Sequence, residues 1–125
     1  DRAAAWMSPD ELLILVPYEA AQATVAALEQ ALAGSHHLVA DVSDARAVFT
    51  IGGARAEEVL MKLCPVDVAT LAPGEIRRTR AAQVAAAFWK SGEEEFTLVS
   101  FRSVAGYVMG LLETASRAGS ELFLA

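Results

Sequence analysis

Few side chains in this sequence stand where they could do chemistry. His36-His37 could lend an imidazole to a metal or to proton transfer, Asp41 and Asp44 could pair as carboxylates, and Cys64 could be a nucleophile. Arg77-Arg78 with Arg80 could hold an anion. Each has a simpler reading. A metal needs a second His, Cys or carboxylate at ligand spacing, and adjacent residues diverge in direction, so His36-His37 reads as a surface loop. Asp41-Val42-Ser43-Asp44 reads as a turn, because short polar side chains hydrogen-bond nearby backbone N–H groups. Cys64 precedes Pro65 at a helix C-terminus, where the dipole raises a thiol pKa. Ser8-Pro9-Asp10-Glu11 has capping-box spelling, but the strand-like run after it favours a turn. In a strand, Arg78 and Arg80 share a face and Arg77 opposes them, a small patch open to two readings: solvated or interfacial charge, and anion binding. The sequence has no glycine-rich phosphate loop and no dinucleotide fingerprint.

The elements around these residues follow one another closely, without a linker. Leu12 to Val16 reads as a strand, Pro17 opens a helix, and Ala21, Val25, Leu28 and Leu32 form its buried face until Gly34 ends it. Leu38 to Val42 reads as extended. In Ala47 to Ile51, Ala47, Phe49 and Ile51 alternate with Val48 and Thr50, the pattern of a strand with a buried face. Gly52-Gly53 breaks it. Ala56, Val59, Leu60 and Leu63 then fall on one side of a helix while Arg55, Glu57, Glu58 and Lys62 face water, and the residue before Pro65 stops it. Glu75 to Thr79, Gln83 to Trp89 and Phe96 to Phe101 read as strands, with a turn at Ser91-Gly92-Glu93. A last helix spans Ser103 to Ala118, with Val104, Tyr107, Val108, Leu111, Leu112 and Ala115 on one side and Gly119 as cap. Sliding Leu12 onto Phe96 brings Ile14 onto Leu98, Leu28 onto Leu112 and Glu29 onto Glu113, which predicts two related strand-helix units on one sheet.

Composition bounds the rest. With 125 residues, 54% of them hydrophobic, the expectation is one α+β domain over residues 1–125 with a real core. The net charge of −6 excludes a protein built to bind nucleic acid. A lone cysteine excludes an intramolecular disulfide and fits a reducing cytoplasm. The apolar runs are strand-length, far short of the ~20 residues that span a bilayer. The alanine-rich apolar excess suggests surface covered by a partner.

The stretch from Leu38 to Pro65, with its polar turn, strand, glycine break and amphipathic helix, resembles the gamma subunit of heterotetrameric sarcosine oxidase, a family similar to the folate-binding T-protein of the glycine cleavage system. Trp6 to Leu13, Leu71-Ala72-Pro73-Gly74 and the Phe96 to Glu113 unit resemble other parts of the family in order and spacing. The resemblance implies an antiparallel or mixed sheet with helices packed on it, containing split β-α-β, ferredoxin-like elements. Family members are usually longer at the N-terminus, and the start at Asp1 suggests a fragment.

The T-protein's folate-contacting turn corresponds to Trp89 to Phe96. Here it keeps one glycine, and Lys90 and Glu94 leave little room for a pterin. The implied role is therefore a non-catalytic structural subunit with no catalytic, cofactor or metal residues of its own. Its partners would be the alpha, beta and delta subunits, which carry FAD, FMN, NAD and tetrahydrofolate. The implied complex is cytoplasmic and oxidises sarcosine with tetrahydrofolate and oxygen to glycine, 5,10-methylenetetrahydrofolate and hydrogen peroxide. Trp6, Trp89, Phe101 and Tyr107, with Arg78 and Arg80, are the candidate interface residues, each aromatic open to reading as core or as anchor. The alternative is a stand-alone folate-binding one-carbon domain resembling aminomethyltransferase.

Overall fold

The Pro9-Asp10 turn joins two strands into an antiparallel hairpin, β1 (Ala3–Ser8) and β2 (Glu11–Leu15), with Ala3 opposite Leu15, Trp6 opposite Leu12 and a register shift between Trp6 and Ser8. Ser8 Oγ donates to Asp10 Oδ1 at 2.6 Å, which fixes the turn. β1 escaped the sequence reading because Ala3-Ala4-Ala5 carries no β preference of its own; pairing with β2 makes it a strand. The computed structural model describes residues 2–123, and the chain divides into two units, Asp1–Ala45 and Arg46–Ala125.

In the first unit Pro17 leads through a 3-10 turn, Tyr18–Ala20, into α1 (Ala21–Ala31). The predicted buried face is only half-buried at Ala21, Val25 and Leu28, and Leu32 is exposed. Leu38 to Val42 forms no strand; it is coil leading into a second 3-10 turn, Ser43–Ala45.

The second unit holds a four-stranded sheet: β3 (Arg46–Gly52), β4 (Ile76–Ala81), β5 (Val84–Gly92) and β6 (Glu95–Phe101), with α2 (Ala56–Leu63) after β3 and α3 (Ala105–Ala115) after β6. The spatial order is β3-β6-β5-β4, antiparallel at every step. Gly53, at φ +127°, makes the break into α2, and Cys64 is extended before Pro65. The helices close one face of the sheet: Ile51, Phe88, Phe96 and Leu98 pack with Ala56, Val59, Leu60, Val108, Leu112 and Ala115. Phe88 and Phe96 meet edge to face at 6.3 Å between centroids.

The α+β class stands, with two antiparallel sheets and three α-helices among the described residues. β3-α2-β4 is a strand-helix-strand excursion, but its strands lie on opposite edges and run antiparallel, so the split takes a form without a parallel pair. The two related strand-helix units also exist, though on separate sheets: β2 pairs with β1 alone, while β6 sits inside the four-stranded sheet. Local sequence sets a strand and the helix after it, whereas sheet membership depends on distant pairing.

Candidate docking surface

Strand alternation decides which side chains of the second unit share a surface. The face of the four-stranded sheet opposite the helices carries Arg46 and Val48 of β3, Phe101 and Val99 of β6, Ala87 and Trp89 of β5, and Arg78 and Arg80 of β4. Its centre, Ala87 and Val99, is buried, whereas Val48, Phe101, Arg78 and Arg80 are exposed and Trp89 is half-buried. Arg46 lies directly across from Phe101 and stacks over its ring, 4.4 Å from the centroid. Four of the six sequence candidates thus converge on one face. Trp6 belongs to the first unit, where it is 65% exposed, and Tyr107 projects from α3, exposed rather than on the buried side predicted for it. Val48 and Arg46 were missed, since their place beside Phe101 depends on the β3–β6 register.

The candidate reactive groups are occupied with structure. Asp41 Oδ1 accepts the Ser43 N–H at 2.9 Å and the Ser43 hydroxyl at 2.5 Å, Oδ2 accepts from Gln22, and these bonds, the hydroxyl's first, hold its carboxyl below the ordinary range. Asp44 accepts from the Tyr18 hydroxyl at 3.1 Å. His37 places Nε2 3.0 Å from Glu29 Oε2 and Nδ1 2.8 Å from the Ser35 carbonyl, and the Glu29 bond leads in raising its pKa. Burial pushes the Cys64 thiol up to about 11, the pKa of an inert thiol. Among the described residues no three His, Cys, Asp or Glu side chains are grouped to hold a metal.

A groove of about 300 Å³ runs between α2 and the chain after α3. Its charges are committed to the C-terminal segment. Glu58, predicted to face water, is buried: it accepts from Arg55 Nε at 2.7 Å and from the Leu122 N–H at 2.9 Å, and the Arg55 bond leads in keeping its carboxyl ionised below the ordinary glutamate range. Arg55 also donates to the Phe123 carbonyl. Lys62 donates to the Ala115 carbonyl at 2.7 Å and to Ser120 Oγ at 3.0 Å, closing the end of α3. At the β5–β6 turn, Ser91 donates to Glu95 and the Glu94 carbonyl accepts the Gly53 N–H.

Among the described residues no helix is long and apolar enough to cross a membrane. The model of the sarcosine oxidase, gamma subunit family matches residues 1–118. The sarcosine oxidase subunit gamma of Arthrobacter sp. is 34% identical over 93 residues, 73% of this chain and 45% of that protein. Its counterpart in Corynebacterium sp. (strain P-1) is 32% identical over 119 residues, 93% of this chain and 58% of that protein. The chain therefore spans about half the length of the curated relatives it matches. The heterotetrameric sarcosine oxidase from Corynebacterium sp. U-96, solved in complex with pyrrole 2-carboxylate, contains a chain similar at TM-score 0.85 and 26% identity, covering 99% of this chain and 64% of that one.

Proposed function

The chain belongs to the sarcosine oxidase gamma subunit family, and on that premise we propose that it serves as the non-catalytic gamma subunit of a heterotetrameric sarcosine oxidase. The family match over residues 1–118 carries the reading. The sheet face opposite α2 and α3, where the Arg46–Phe101 stack, Trp89, Arg78 and Arg80 surround a small-residue centre, supports it as a surface for contact rather than reaction. Alpha, beta and delta subunits would complete the assembly in the cytoplasm. They would carry FAD, FMN, NAD and tetrahydrofolate, and would convert sarcosine with oxygen and tetrahydrofolate to glycine, 5,10-methylenetetrahydrofolate and hydrogen peroxide. The engaged polar groups at the β5–β6 turn and in the α2–α3 groove support placing those groups elsewhere.

Native co-purification from the source cell tests the role. The expected result is a flavin-absorbing eluate with sarcosine-dependent peroxide formation. A colourless, inactive chain recovered alone would overturn it. If that chain were also stabilised by folate, by about 2.7 kcal/mol at a hundred times the dissociation constant, it would be a stand-alone one-carbon domain instead.

A further inference from the structure

His37 meets an acceptor at each of its ring nitrogens. Nε2 lies 3.0 Å from Glu29 Oε2, and Nδ1 lies 2.8 Å from the Ser35 carbonyl oxygen. A carbonyl oxygen and a carboxylate oxygen only accept, so each contact requires a hydrogen on the nitrogen that faces it. Neutral imidazole carries one such hydrogen and imidazolium carries two. In either neutral tautomer one nitrogen would turn a lone pair toward an oxygen at hydrogen-bond distance. The arrangement is therefore that of imidazolium. The same two bonds raise the pKa, Glu29 first and Ser35 second, and outweigh the lowering by desolvation.

The contact holds a segment that has little else to hold it. α1 ends at Ala31, Gly34 at φ +90° reverses the chain, and the Ser35 N–H donates to the Leu32 carbonyl at 2.9 Å. From there the chain runs back along α1: His37 meets Glu29, and Asp41 Oδ2 accepts from Gln22 Nε2 at 3.0 Å. Gln22 and Glu29 stand two helical turns apart, about 10.5 Å of rise, a distance that four residues of extended chain, at most about 13 Å, can follow. Among the described residues no backbone–backbone hydrogen bond anchors residues 36–41, and Leu38 is 88% exposed. Side chains supply the anchors. Asp41 is engaged by Gln22 and Ser43, Asp44 accepts the Tyr18 hydroxyl and His36 is exposed, so Glu29 is the charged group that acts on His37.

We propose that His37 is a proton-operated clasp: as imidazolium it straps residues 36–40 against α1, and loss of one ring proton frees that stretch while Asp41 holds its far end. The direction follows from linkage. A group whose folded pKa is raised contributes stability that is fully present below its unfolded value, near 6.5 for histidine, and is lost as pH rises through the folded one. Asp41, whose carboxyl is held below its ordinary range, stays ionised throughout that window. The clasp goes beyond the subunit role and does not depend on it.

The test is an NMR pH titration of the 15N-labelled chain. Long-range correlations report which ring nitrogens of His37 carry hydrogen, and backbone order parameters report residues 36–40. At about pH 6 both nitrogens should be protonated and the segment rigid, with order parameters near ~0.85; above the His37 pKa they should fall below about 0.6, with one midpoint for ring and backbone. Glu29→Gln removes the charge at a half-exposed position and should move both midpoints to lower pH together. A singly protonated ring at about pH 6 overturns the proposal, as does a ring titration that leaves the backbone unmoved. So does a Glu29→Gln variant in which either midpoint stays in place; if that variant fails to fold, the wild-type titration decides.

Discussion

At the scale of single residues, the polar side chains of this protein shape turns and hold the C-terminal segment. Asp41 shows how much of this is legible: its bonds to Ser43 are local, so four consecutive residues predict them. Glu58 shows the opposite. Its position among the charges of α2 predicted exposure, but its partner Leu122 lies far along the chain, and a buried carboxylate is tolerated only when hydrogen-bonded. A carboxyl held below its ordinary pKa contributes stability that is present above the unfolded value and lost as pH falls through the folded one. The protection factor of the Leu122 amide against hydrogen exchange should therefore fall on acidification below the ordinary glutamate range, and Glu58→Gln should remove that acid sensitivity; an unchanged pH profile of protection in the variant would refute the link. For Cys64, with its thiol at about 11, modification by a thiol reagent near pH 8 should run about a hundredfold slower than in the denatured chain.

At the scale of elements, α2 is the helix most plainly written in the sequence, and it carries the core of the second unit. Leu60 is fully buried between sheet and helices, so Leu60→Ala should cost about 2–5 kcal/mol in a denaturant titration. The β4–β5 turn holds the described chain's non-glycine residue at positive φ, Ala82 at +50°. Its N–H donates to the Leu63 carbonyl at 2.8 Å, tying the turn to the end of α2. Ala82→Gly should raise stability by about 0.5 kcal/mol, since relief of about 1–2 kcal/mol of left-handed strain exceeds the extra unfolded-state entropy of about 0.5–1 kcal/mol. A measured loss of stability would mean that the turn carries no strain. β1 and the coil after α1 were misread for one reason: strand identity there depends on a pairing partner, which β1 has and residues 38–42 lack.

At the scale of the whole molecule, the proposed gamma-subunit role predicts that surface changes act on assembly before they act on folding. Phe101→Ala removes an exposed ring and its stack with Arg46, so it should weaken subunit association by about 1–2 kcal/mol in a binding titration while leaving thermal unfolding of the isolated chain nearly unchanged. Loss of the fold instead would assign Phe101 to the structure. Sequence alone determined the family, the α+β class, most strands and helices, and the likeness between the two strand-helix units, because periodicity, glycine breaks and turn residues act over a few neighbours. Only the tertiary structure decided that Trp89, Phe101, Arg78 and Arg80 share one face, that Glu58 is buried, and that β2 and β6 belong to separate sheets. The reason is that burial and strand register arise from pairing between distant segments, and no local pattern records which segments meet.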